Sequence, residues 1–233
     1  MKRGPVALAS LATGLFATLA VLAVGINARW LASLDVSVAE RFAADRSERW
    51  LPETYAIFDF VGNPTNVAIA AIVSGVLLSL QARSVLPAAL VVGGVGGGVL
   101  VEQALKAVVG RTSTAVAELQ DKPLLFFEHT FPSGHLTGTT SLLGMIAVCL
   151  GAGCGGAARA ALAGVVTVGV MFVAFVTLYD GFHTFSDVIG GVILGSAIVM
   201  LGAALLSASR LGEREVVGER EVDGGVHHSE VRS

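Results

Sequence analysis

Six stretches of this chain are each apolar enough and long enough to cross a bilayer as a helix, at roughly 5–26, 63–82, 85–109, 135–152, 160–179 and 186–207. That feature decides most of what the chain can fold into. A spanning segment needs about 20 apolar residues, and it must satisfy its backbone polar groups internally, as a helix does. Charged residues make up only 14% of the sequence, well below the ~25% of an ordinary soluble domain. The reading is an all-α integral membrane bundle of about six transmembrane helices. It forms one domain over 1–208. The charged, glycine-containing tail at 209–233 has few large apolar residues and is expected to be disordered. Lys2-Arg3 ahead of the first run resembles a signal-peptide start. Five further spans follow without a convincing small-residue cleavage site, so the run is read as a helix.

Between the first two spans lies a polar segment, 27–62. In it Trp30, Leu31, Leu34, Val38, Phe42 and Trp50 recur at near-helical spacing among Arg and Glu. Two readings fit equally: a helix lying in the membrane interface, or one packed on top of the bundle. Asn63-Pro64 marks a turn before the second span. The run Gly93-Gly94-Val95-Gly96-Gly97-Gly98 sits inside an apolar stretch and lacks nucleotide-loop spacing. Its glycines suit close helix packing in lipid. Cys149 and Cys154 read as small apolar side chains, since C-x4-C without further ligands signals neither disulfide nor metal. His227-His228 in the tail carry no functional weight. The net charge of −3 implies no highly charged partner such as nucleic acid.

With six alternating spans, the end of the third, the start of the fourth, the end of the fifth and the start of the sixth share one membrane face. Those places hold Lys106, Pro132-Ser133-Gly134-His135, Tyr179 and His183-Thr184-Phe185-Ser186-Asp187. Four polar clusters scattered along the sequence thus converge. Basic residues divide almost evenly between the two faces, so charge bias orients the chain only weakly. The flanks of spans one, four and five favour cytoplasmic termini.

Histidines at helix mouths point to phosphate chemistry, because a helix N-terminus offers unpaired N–H groups and the positive end of its dipole. His183 and Asp187 are four residues apart and can meet on one helix face. The carboxylate would orient the imidazole and stabilise its positive charge while the other ring nitrogen attacks phosphorus. His135 is placed to protonate a leaving alkoxide as general acid. Ser133 and Gly134 offer a hydroxyl and close backbone N–H groups to phosphate oxygens. Pro132 opens the helix without wasting a donor. Lys106 and Arg111 close the third span and would cradle phosphate, one as a point charge and one as a planar fork. Taken alone, either basic residue reads more plainly as snorkelling to the headgroups. Glu102, four residues before Lys106 and inside the span, is expected to pair with it. Asp180 and His129 read as rim residues.

With these residues in place, the chain resembles the type 2 phosphatidic acid phosphatase family, integral-membrane lipid phosphatases related to vanadium haloperoxidases. The family carries a Lys followed seven residues on by Arg-Pro, then Pro-Ser-Gly-His, then Ser-Arg, five residues, His, three residues, Asp. Lys106, the complete Pro132–His135 and the pair His183 and Asp187 match. Tyr179, Gly181, Ser186, Val188 and Gly190 also suit the pattern, and the likeness covers about 100–200. It implies a lipid phosphate or pyrophosphate phosphatase working through a phosphohistidine. Its substrates would be polyprenyl pyrophosphates or phospholipid phosphates, and no metal or other cofactor would be needed. It also implies a site on the extracytoplasmic face of a bacterial-type plasma membrane. Membrane lipids and the lipid phosphate substrate would be the partners.

Two departures stand out. Ser113-Thr114 occupies the place of the family's Arg-Pro, and Val176-Thr177 that of its Ser-Arg. Arg111, two residues before Ser113, is the nearest candidate to supply one missing fork. A charged hydrogen bond lost to phosphate typically costs a few kcal/mol of transition-state binding, or ~10²–10³ in rate. The departures therefore keep open a catalytically weakened member that binds lipid phosphate or serves as a partner subunit. A transporter has little support, since no inverted repeat is visible.

Overall fold

A computed structural model describes the backbone of residues 3–111 and 129–230, with side chains from 4 to 111 and from 129 to 212. Its described residues form eight helices: α1 (Arg3–Val24), α2 (Arg29–Asp45), α3 (Leu51–Gly62), α4 (Pro64–Ala82), α5 (Leu86–Val109), α6 (Gly134–Gly151), α7 (Gly156–Asp180) and α8 (Phe185–Glu230). Six of them, α1 and α4 to α8, are long and apolar enough to cross a membrane. Their bounds fall within a few residues of those read from hydropathy. The one large shift is at the C-terminus. Where the sequence suggests a disordered tail from residue 209, the backbone stays helical to Glu230. Extending a formed helix fixes one residue per new hydrogen bond, far less costly than nucleating one.

Helix ends are set locally. Asn63 caps α4, its side-chain oxygen accepting from the Thr65 N–H at 2.9 Å, and Pro64 fills the first turn. Helix α5 ends on Gly110, whose left-handed φ of 60° lets its N–H close on the Lys106 carbonyl at 3.0 Å. That reversal sends Arg111 back over the bundle.

Helix α6 is the central post. It packs against α3, α4, α5, α7 and α8, while α1 lies along α8. The core gathers Val67 and Ala71 of α4, Val91 and Val95 of α5, Met145 of α6, and Leu194 and Ile198 of α8. Within the glycine-rich run of α5, Gly94 faces Met145 and Gly98 faces Ile198, each too close for a side chain to be added without a shift. The two α5 glycines thus let helices approach closely in lipid. The outward faces are apolar, with Val21, Leu80, Leu100, Val165, Val168 and Met171 exposed. This is the distribution of a protein whose solvent is hydrocarbon.

The segment 27–62 folds as two helices docked on the bundle. Helix α2 rests on α7 and α8, and α3 on α6 and α7. Trp30, Trp50, Tyr55 and Phe60 remain exposed, so the segment is packed on the bundle and also keeps aromatics at its outer edge.

Candidate functional site

The mouths of α6 and α8 lie against each other. The Ser133 N–H donates to the Asp187 carbonyl at 3.0 Å. Gly191 of α8 lies so close to the Ser133 carbonyl that a Cβ there would come within 2.5 Å of it. Around this joint the structure brings together the residues singled out from the sequence. The rings of His135 and His183 stand edge to face, 6.1 Å between centroids. Lys106 reaches Glu102 at 2.7 Å, and Glu102 packs against Gly134, where a Cβ would fall 2.6 Å from its carboxylate oxygen. Glycine at 134 is therefore what allows the Lys106–Glu102 pair to lie beside the α6 N-terminus.

The α8 mouth is a closed network. Asp187 is fully buried. Its Oδ1 accepts from Arg111 Nη1 at 3.0 Å, and its Oδ2 accepts from the Thr184 N–H at 3.0 Å. Arg111 Nη1 also donates to Ser186 Oγ at 2.5 Å and to Thr184 Oγ1 at 3.2 Å. Its Nη2 donates to Asp35 Oδ2 at 2.6 Å. Asp35 comes from α2 and is buried to 4% exposure. It accepts in addition from the Ser186 N–H at 2.8 Å and from Ser186 Oγ at 2.6 Å. Arg111, read from the sequence as a phosphate fork, thus has both terminal nitrogens engaged with protein. A buried arginine facing two carboxylates satisfies charge that would otherwise be costly to desolvate.

His183 Nδ1 stands 3.7 Å from Asp187 Oδ2. That is ion-pair range and beyond a hydrogen bond, and the atom has no other partner among the described residues. Such contacts often tighten only when substrate is bound. The α6 mouth is open by contrast. Ser133 is fully buried, yet its hydroxyl makes no hydrogen bond among the described residues, and it does not cap its own helix. An unpartnered buried donor beside a helix N-terminus is suited to receive an anion.

Aromatic side chains wall the site. Phe58 of α3 stacks on His135 with centroids 3.8 Å apart and on Phe182 at 4.7 Å, and Tyr55 meets Phe182 at 5.7 Å. Gly62 lies flat against the His135 ring, in space that a Cβ could not share. Behind the wall, the Tyr179 carbonyl accepts from Arg46 Nε and its hydroxyl from the Ser47 N–H, both at 2.7 Å. Asp180 Oδ1 accepts from Thr54 Oγ1 at 2.6 Å. Asp180 therefore ties α3 to α7 at the edge of the site. His129 lies by Gly110 at the end of α5, and the Thr130 N–H beside it donates to the Arg111 carbonyl at 3.0 Å.

Of the two departures from the family pattern, Thr177 is fully buried, with a hydroxyl that has no partner among the described residues. Ser113 and Thr114 lie outside the described residues, as does most of the loop expected at 112–131. No group of three or more His, Cys, Asp or Glu side chains among the described residues is placed to hold a metal ion. Both cysteines are free.

Reading the sequence missed Asp35, Phe58 and Gly62. Asp35 had a usable signal. It lies four residues after Leu31, so a carboxylate sits on the same buried face as the apolar stripe of α2. Phe58 and Gly62 had none, because their role depends on where α3 docks.

Comparison with known proteins bears on the whole arrangement. The sequence profile of the PAP2 superfamily matches residues 86–210. A solved structure, that of a transmembrane PAP2-type phosphatidylglycerolphosphate phosphatase from Bacillus subtilis, superposes with a TM-score of 0.70 at 20% identity. The match covers 82% of this chain and 93% of that one. At that identity the likeness speaks for the fold. No curated protein sequence gives a significant match.

Proposed function

The chain belongs to the PAP2 superfamily, and on that premise we propose that it is a membrane lipid phosphatase acting on a lipid phosphate or pyrophosphate. The observation that carries this reading is the meeting of His135 and His183 at two joined helix mouths, 6.1 Å apart, with Lys106 beside them. His183 attacks phosphorus through Nε2. The bond from phosphorus to the leaving oxygen breaks, and that oxygen takes its proton from His135. Asp187 stabilises the positive charge that His183 gains. Water, deprotonated by His135, then attacks the phosphohistidine, and inorganic phosphate leaves. Lys106, the Ser133 hydroxyl and the N–H groups at Gly134 hold the phosphoryl oxygens. Arg111 acts from behind, through Asp187.

The substrate class is a phosphate at the headgroup level of a lipid, either a polyprenyl pyrophosphate or a phospholipid phosphate such as phosphatidylglycerol phosphate. The exposed apolar flanks suit lateral entry from the bilayer. The site would face the extracytoplasmic side of a bacterial-type plasma membrane, with both ends of the chain in the cytoplasm.

The test is phosphate release by purified protein in detergent, with chelator present, across polyprenyl pyrophosphates, polyprenyl phosphates and phospholipid phosphates. Release that is sensitive to vanadate and lost in His183→Ala is expected. A requirement for Mg²⁺, or release unchanged in His183→Ala, overturns the mechanism. Folded protein with no release at all would instead favour a lipid-phosphate binder, the reading that Thr177 at the place of a family arginine keeps in view.

A further inference from the structure

We infer that Asp35, on α2 and outside the region matched by the family profile, is a positioning residue of the site, acting on His183 through Arg111 and Asp187. The inference rests on the phosphatase reading for its consequence in catalysis. It rests on geometry for the linkage itself.

Asp35 binds both halves of the α8 mouth. One carboxylate oxygen takes the Ser186 N–H at 2.8 Å; the other takes Ser186 Oγ and Arg111 Nη2, both at 2.6 Å. Arg111 Nη1 continues the chain to Asp187 Oδ1 at 3.0 Å. The Thr184 N–H fixes the second oxygen of Asp187 at 3.0 Å. The plane of the Asp187 carboxylate is therefore set from two sides, and His183 Nδ1 lies 3.7 Å from its edge.

Charge makes Asp35 more than a brace. With Asp187 as its sole partner, Arg111 would spend its full positive charge on that carboxylate. Asp187 would then pull less on the imidazolium that forms when His183 attacks phosphorus. Asp35 takes up the arginine's charge and leaves Asp187 with negative charge to offer. The pairs lie in a buried setting where Coulomb terms are weakly screened. Carboxylates that orient catalytic or metal-binding histidines behave similarly when their own partners are changed.

The test is a double-mutant cycle of D35N and R111Q, read in two ways on the same purified proteins. The first readout is thermal unfolding in detergent, which needs no activity. Coupling between the two positions is expected there, and independent effects overturn the linkage. The second is kcat and KM for phosphate release. D35N is expected to lower kcat about 10- to 100-fold, the usual cost of removing such a supporting partner, with KM little changed. In the R111Q background D35N should add almost nothing, because a residue that acts through Arg111 cannot act without it. Additive losses in kcat overturn the proposal, and so does faster turnover in D35N, which would make Asp35 a competing anion. If D35N does not fold, S186A serves instead. It removes the hydroxyl shared by Asp35 and Arg111 and keeps all three charges. A kcat lowered less than in R111Q supports the proposal, and an unchanged kcat overturns it. Wild-type protein inert toward every lipid phosphate, with unfolding coupling intact, would defeat the phosphatase reading and reduce Asp35 to a fold contact.

Discussion

The two helix mouths of the site differ in how much of their polar chemistry is already spent. At α8, Asp187, Thr184, Ser186, Arg111 and Asp35 bond to one another. At α6, the Ser133 hydroxyl is buried and free of partners among the described residues, and His135 meets its surroundings chiefly by stacking on Phe58. One mouth is a frame and the other a receptacle. Buried polar groups are costly unless bonded. The frame therefore contributes to both stability and orientation, whereas under the proposed function the α6 mouth keeps its donors for a phosphate at some cost in stability.

Substitutions at the two mouths should separate along that line. The largest effect is expected from Asp187→Asn. It leaves Arg111 with Asp35 as its remaining carboxylate partner among the described residues and, under the proposed mechanism, removes the charge that supports His183. Breaking a buried ion pair from one side typically costs ~3–5 kcal/mol, so the melting temperature in detergent should fall clearly. Phosphate release should fall with it, by about four orders of magnitude if Asp187 acts like the carboxylate of other histidine pairs. A stable variant with full activity would break the comparison at its strong end.

His135→Gln comes next. Loss of general acid catalysis is worth ~10²–10⁴ in rate, and no hydrogen bond of the frame is touched. Activity should drop by that order while the melting temperature barely moves, as scanning calorimetry beside the rate assay would show. A large fall in stability would mean that His135 belongs to the frame as well.

Ser133→Ala is the smallest change. It deletes a hydroxyl with no hydrogen bond among the described residues to lose, so stability should hold or rise slightly. Turnover should fall roughly tenfold, the order of one modest hydrogen bond at ~1.4 kcal/mol. A marked loss of stability with unchanged turnover would show that the hydroxyl has a structural partner and is no receptor for phosphate.

The legibility of this molecule was uneven for physical reasons. Spans were readable because hydrocarbon imposes length and apolarity on any helix that crosses it. The order of site clusters was readable because strict alternation of spans assigns each loop to a face. Pro132–His135 and the His183–Asp187 spacing were readable because local helix geometry fixes which groups emerge together. Arg111, read as a phosphate fork, is bonded to Asp187 and Asp35. Nothing near it in sequence shows that Asp35, 76 residues away, will take its second nitrogen. Composition speaks to packing and not to whether a helix already formed in the membrane will continue past residue 209, as α8 does to Glu230.

By itself the sequence determined a helical membrane bundle and the gathering of two histidines, a lysine and a carboxylate on one face, since periodicity, length and alternation are local rules. The tertiary structure alone decided which of those groups remain unbonded. Docking of α2 and α3 brings Asp35 to Arg111 and Ser186, lays Phe58 on His135 and presses Gly62 against the same ring. These contacts join residues far apart in the chain, and only packing in three dimensions sets which buried polar groups find partners.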